Sequence, residues 1–166
     1  MNSFNTKLLK KIVLITSLGF TAILATSAQA GTDSATIQLN TQVVANCTIS
    51  ADALNVSGYD SIVANKSVNF DKESNVTVTC TKDTGITIGL DQGANGRHLK
   101  SGDNLLAYEL YQDASRSKVW GNDGDALLSA TGTGLAETKT VYVRVPQNQN
   151  VPAGTYTDTI IATVSF

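Results

Sequence analysis

From residue 31 onward, apolar and polar residues alternate with a period of two, in short runs separated by turn-forming residues. Ala35, Ile37, Leu39, Thr41 and Val43 share one face of an extended segment, and Ser34, Thr36, Gln38, Asn40 and Gln42 share the other. The same spacing groups Val76, Val78 and Cys80, then Ile86, Ile88 and Leu90. It predicts one strand over 105–113 with Leu106, Tyr108 and Leu110 inward, and another with Val141, Val143 and Val145 inward. A last strand over 155–166 sets Ile160, Ala162, Val164 and Phe166 against Thr159, Thr163 and Ser165. Breaks fall at Asp83 to Gly85, Gln92 to Gly96, Gly121 to Gly124, Gly132 to Gly134 and Pro152 to Gly154. No helical period is evident after residue 30. Many short alternating strands with glycine-rich turns predict an all-β fold, an antiparallel two-sheet sandwich of broadly immunoglobulin-like class.

The first run differs from the others. No turn signal lies between Thr32 and Val44, so nothing folds this segment back onto the residues that follow it. A one-faced strand placed there is either the first strand of the sandwich or an arm offered to a neighbour. Before it, Lys7, Lys10 and Lys11 precede an apolar stretch from Ile12 to Ala25, and Ala28-Gln29-Ala30 forms a small-x-small site. These features predict a secretory signal over residues 1–30, cleaved between Ala30 and Gly31. The apolar stretch is short and interrupted by Thr and Ser, which argues against a membrane span.

Export changes how the charge and the cysteines are read. Removing the three signal lysines leaves nine basic residues against fourteen acidic ones, moving the net charge from −2 to −5. Such a chain lacks the clustered Lys and Arg that a phosphate backbone requires, so nucleic acid is not an expected partner. Two cysteines in an exported protein allow a single pairing, Cys47 with Cys80. On the chain-entropy account, closing that loop contributes about 4 kcal/mol.

Candidate chemistry is sparse. His98 is the only histidine, which removes intrachain Ser-His-Asp, Cys-His and multi-histidine metal sites; with Arg97 and Lys100 it reads as part of a solvated loop or strand. Glu109 and Asp113 share a strand face but stand about 13 Å apart, too far for a retaining glycosidase pair. Gly121 to Asp125 is rich in oxygen ligands yet lacks a closing Glu, and reads as a tight turn rather than a calcium loop. Sequons begin at Asn46, Asn55, Asn65 and Asn75, a frequency a Thr/Ser/Asn-rich chain produces by chance. No enzyme activity, metal or cofactor is expected. Tyr111, Trp120 and Tyr142 are candidate aromatics for sugar stacking, with Trp120 equally suited to a core.

Four stretches carry a family resemblance: VVANCTIS (Val43 to Ser50), NVTVTCT (Asn75 to Thr81), YELYQDASRSKVWG (Tyr108 to Gly121) and AGTYTDTIIATVSF (Ala153 to Phe166). In them the chain resembles the spore coat U domain family, which includes subunits of the archaic chaperone–usher pili typified by the Csu pilus. The most specific patterns are Y-x-L-Y-x-D-x-x-R…W-G and G-x-Y-x-D followed by a terminal Phe. The resemblance implies a sandwich that lacks its last strand and is completed by a strand from a neighbour. On that reading residues 31–44 are the donor arm, with Ala35, Ile37, Leu39, Thr41 and Val43 as its inserting face, and residues 45–166 are the pilin domain. Ile160, Ala162, Val164 and Phe166 would then line the acceptor groove and meet the chaperone. Implied partners are a periplasmic chaperone, an outer-membrane usher and like or related pilin subunits. The chain would pass through the periplasm to the cell surface as a fimbrium, serving attachment and biofilm formation. The alternative is a secreted coat or matrix protein whose sandwich is complete in itself.

Overall fold

A computed structural model of the protein describes residues 30–166, so the predicted signal lies outside the described residues apart from its last position, Ala30. The chain divides into two units, Met1–Asn40 and Thr41–Phe166. Of the first, residues 30–40 are exposed and carry no regular secondary structure. Every strand among the described residues lies in the second unit.

Two antiparallel sheets face each other. The first has the order β1 (Cys47–Ala51), β2 (Phe70–Cys80), β8 (Ala136–Val145), β6 (Glu109–Tyr111). The second runs β7 (Leu128–Thr131), β3 (Gly85–Leu90), β9 (Ala162–Ser165). A hairpin of β4 (His98–Ser101) and β5 (Asn104–Ala107) stands beside them. The core is the set that the alternation selects: Val76, Val78 and Cys80 on β2, Ile86, Ile88 and Leu90 on β3, and Val141, Val143 and Val145 on β8 are all buried. The fold is an antiparallel, immunoglobulin-like sandwich, as the periodicity predicts.

Two predicted strands are divided. Leu106, Tyr108 and Leu110 do share the buried face, but 105–113 is not one strand. The chain leaves the β4–β5 hairpin at Ala107 and enters the first sheet at Glu109, pairing Glu109 with Arg144 and Tyr111 with Tyr142. Alternation survives this switch because the backbone stays extended across it, and Tyr108 N–H donates to Arg97 O at 2.9 Å. Likewise only Ala162–Ser165 of the predicted last strand forms a ladder with β3.

The Cys47–Cys80 disulfide is formed. Thr81 N–H donates to Asn46 O at 2.9 Å, so the next rung, Cys47 opposite Cys80, is the closely spaced one, with Cα atoms 4.2 Å apart. Gly132 lies against this corner, where a Cβ would collide with the Thr81 carbonyl.

Candidate functional site: an open groove and an unpaired edge

The residues around Trp120 close one side of the sandwich. Trp120 is fully buried, and its Nε1–H donates to Ile88 O at 2.9 Å. Its own N–H donates to Leu110 O, and Leu90 N–H donates to Gly121 O. The Val119–Gly121 segment therefore bonds to β6 in one sheet and β3 in the other. Trp120 is core, which removes it as a stacking surface. Asp113 organises the turn leading to it, accepting from Ser115 Oγ, Ser117 N–H and Lys118 N–H. Those donors hold its carboxyl well below the usual carboxylate range, with the Ser115 hydroxyl contributing most. Glu109 sits on β6 and Asp113 in this turn, so the two form no carboxylate pair.

The opposite side stays open. Ile161 O accepts from Asp91 N–H at 3.1 Å, Thr159 O accepts from Ala94 N–H at 3.1 Å, and Thr157 exchanges two bonds with Lys100 at 2.8 and 3.1 Å. Thr163 and Ser165 continue this odd-numbered series opposite Gly89 and Thr87 on β3. In an antiparallel ladder the intervening residues direct their N–H and C=O groups to the far side. Tyr156, Asp158, Ile160, Ala162 and Val164 thus present a backbone edge that no strand of this chain pairs among the described residues. Their side chains are the half-buried set, and Thr157, Thr159, Ile161, Thr163 and Ser165 are exposed. Although only its last part is a ladder, 156–164 is one continuous period-two edge.

Beside this edge lies a cavity of about 480 Å³. Ile160 and Ala162 line it on one side, Leu54 and Val56 from the loop after β1 on the other, and Val76 and Val143 at its base. It adjoins a second hollow of about 920 Å³ between residues 53–62 and 150–158, and the two share Leu54, Leu99 and Asp158. Of the four residues expected at an acceptor groove, Ile160 and Ala162 line this cavity. Val164 is half-buried against the core further along, and Phe166 is 59 % exposed past the end of β9. β1 offers a second free edge. Asp52 N–H bonds Asn75 O and Thr81 N–H bonds Asn46 O, leaving Cys47, Ile49 and Ala51 facing away from β2.

Asp158 is the charged member of the half-buried stripe, and periodicity alone did not single it out. Its Oδ2 accepts from Tyr108 Oη–H at 2.6 Å, and its Oδ1 accepts from Asn95 Nδ2–H, Asn95 N–H and Thr159 N–H. Burial, then this carboxylate, pushes the Tyr108 phenol far above its ordinary value, so it stays a donor. Gly93, at φ +71°, leaves room for the arrangement, since a Cβ there would strike the Asp158 carboxylate. Arg97, which reads from sequence as solvated, is largely withdrawn from solvent. Its Nη2 donates to Leu90 O at 3.0 Å and Trp120 O at 2.8 Å. A lone arginine beside a histidine gives no sequence signal of that role. His98 opens β4 with Nδ1 2.8 Å from Gly96 O, and Asn65 is buried, which removes it as a sequon acceptor.

The predicted arm residues form no ladder. Every residue from Ala30 to Asn46 is exposed, with Ile37 and Leu39 at 91 % and 93 %. Alternating apolar residues left in water are an unusual use of sequence, and Val43 and Val44 share it.

Comparison with known proteins accords with this geometry. The Spore Coat Protein U domain model matches residues 33–163. The chain belongs to this family. Among its relatives, Protein U of Myxococcus xanthus is 35 % identical over 158 residues, covering 84 % of this chain and 88 % of that protein. Among solved structures, the fold is similar to a chain in the crystal structure of the CsuC–CsuE chaperone–tip adhesion subunit pre-assembly complex, from archaic chaperone–usher Csu pili of Acinetobacter baumannii. That likeness has a TM-score of 0.55 and 26 % identity, and it covers 75 % of this chain. The chain spans 40 % of the matched chain's length. In this spore coat U domain protein the family motifs are structural: Tyr108 and Asp158 bond each other, Leu110 and Trp120 fill the core, and Asp113 and Arg116 brace the turn between them.

Proposed function

We propose that the protein is a structural, non-catalytic subunit, shaft or adaptor, of a chaperone–usher pilus. Residues 31–44 of one copy fill the groove of the next by donor-strand exchange. The observation that carries this reading is the pairing of a vacancy with a matching surplus. A nine-residue edge with free backbone groups runs beside an apolar cavity, and a nine-residue alternating run stands exposed in the same chain. Strand addition to a free edge is a general mode of recognition in which backbone bonds supply affinity and alternate side chains supply selectivity. Burying Ile37, Leu39 and Val43 contributes about 1.5–3 kcal/mol each, and each added backbone bond contributes about 0.5–1.5 kcal/mol. The likeness to a pre-assembly complex of chaperone and pilus subunit supports a periplasmic chaperone as the first occupant of the groove. An outer-membrane usher, display as a fimbrium at the cell surface, attachment and biofilm formation follow from the same reading.

The test uses three versions of the exported chain: unaltered, lacking residues 32–43, and with that segment re-appended after Phe166 through a flexible linker. The reading expects heat-sensitive ladders on a denaturing gel from the first, an unstable product from the second and a very stable monomer from the third. A second reading, a self-complete coat protein, is favoured by the likeness to Protein U over 88 % of its length. It expects a stable monomer from the unaltered chain and loss of folding when the segment is moved.

A further inference from the structure

Resting on that reading, we infer that Thr41 and Asp158 set the register in which the arm of a second copy enters the groove. The inward edge positions are Tyr156, Asp158, Ile160, Ala162 and Val164, with one charged residue among them. The inserting arm positions are Ala35, Ile37, Leu39, Thr41 and Val43, with one hydroxyl among them. Laid antiparallel over the full edge, the five positions match five. Val43 falls opposite Tyr156, Thr41 opposite Asp158, Leu39 opposite Ile160, Ile37 opposite Ala162, and Ala35 opposite Val164. Laid parallel over the same edge, Ile37 would stand against the Asp158 carboxylate and Thr41 against Ala162. A shift of two residues in the antiparallel sense would set Leu39 or Val43 against the carboxylate. Only one arrangement brings the single hydroxyl to the single charge without shortening the overlap.

Asp158 has the capacity to receive it. Tyr108 Oη–H fills one acceptor position of Oδ2, and the other three donors lie on Oδ1. Asp158 lines both hollows of the groove, the space the arm would enter. Directly opposed side chains on one sheet face are in contact range, with diagonal neighbours about 7–8 Å away. A misregistered arm would bury an apolar side chain on this carboxylate and strand the Thr41 hydroxyl elsewhere. The surrounding apolar pairs would tolerate slippage; this pair does not.

Disulfide trapping between subunits tests the register, because cysteines whose Cα atoms are more than about 7 Å apart do not bridge. The native cysteines are already paired. Ladders from a chain carrying Ala35→Cys and Val164→Cys should become resistant to heat under mild oxidation, and those carrying Ala35→Cys and Ala162→Cys should not. Val43→Cys with Tyr156→Cys reports the same register from the other end, should the Val164 variant fold poorly. Moving the hydroxyl with Leu39→Thr and Thr41→Leu should transfer the cross-link to the 35/162 pair. Thr41→Val should speed loss of multimer on heating about tenfold, the effect of one unmade bond to a charged group, and Thr41→Ser should restore it. A cross-link at 35/162 in the parent register, or a pattern that ignores the moved hydroxyl, overturns the inference and leaves donor-strand assembly standing. A groove filled only by a different protein's strand gives no 35/164 cross-link and also overturns it. If the unaltered chain forms no ladder, the function itself fails, and that is seen before any cysteine is introduced.

Discussion

The two long sides of this sandwich face the same physical problem and meet it differently. Near β6 and β7, the Val119–Gly121 segment bonds to both sheets, and Trp120 fills the space between them. Near β1 and β9, no segment of the described chain does this. The edge from Tyr156 to Val164 keeps its outward backbone groups, and a cavity of about 480 Å³ separates it from Leu54 and Val56. Unpaired edges invite association, and soluble proteins ordinarily cover, twist or charge them. This edge carries neither a proline between Tyr156 and Val164 nor a lysine, and its one charge, Asp158, is held by Tyr108 and Asn95. On the proposed function, the second strap comes from outside.

Substitutions in the closed side should cost the monomer most. Trp120→Ala removes the largest buried side chain and its hydrogen bond to the Ile88 carbonyl, so a loss of about 3–5 kcal/mol is expected in chemical denaturation. Replacing both Cys47 and Cys80 by Ser should cost about 2–5 kcal/mol, read as depletion of the exported chain under oxidising conditions. Tyr108→Phe, in the groove wall, leaves Asp158 short of one donor and should lower stability by about 1.5–3 kcal/mol. Leu39→Asp belongs to the other side of the contrast. The unassembled domain should melt as before, because Leu39 is 93 % exposed, while ladder formation is lost. A monomer destabilised by Leu39→Asp would break the distinction between the two sides.

The smallest expected effect lies on the outer face of the first sheet. There Arg144 holds Asp71 through two bonds of 2.8 Å, and Arg116 approaches at 3.4 Å. The Arg144 hydrogen bond, the largest cause, lowers the Asp71 carboxyl below its ordinary 3.8. A carboxyl lowered on folding stabilises the native state at pH above its unfolded value, and that contribution is lost as pH falls through the folded value. Asp71→Asn should therefore lower the melting temperature slightly at neutral pH, and the difference should shrink in acid. Solvent screening at this half-exposed pair keeps the effect small.

The closed core was readable in the sequence because burial there follows strict alternation, from Val76 to Cys80, Ile86 to Leu90 and Val141 to Val145. The edge was legible as a strand over 155–166, since its inward positions go on alternating beyond the rungs that pair with β3. What alternation did not reveal was the polar bracing. Asp158, Asn95, Tyr108 and Arg97 come from segments far apart in the chain, and their contacts depend on the β4–β5 hairpin, which replaced the single strand expected over 105–113. Phe166 alternates correctly yet lies past the last rung opposite β3 and is left exposed. The Y-x-L-Y-x-D-x-x-R…W-G pattern pointed to a family through residues whose work is structural, so it identified the fold without exposing a reactive centre.

Amide hydrogen exchange at Ala162 and Val164 tests the central claim most directly, because their N–H groups face the open side. The account predicts rapid exchange in the unassembled chain and protection in the multimer comparable to that of Ile88, whose strand is enclosed on both sides. Rapid exchange at both positions within an intact multimer would contradict it, since subunits would then be joined without a strand added to this edge.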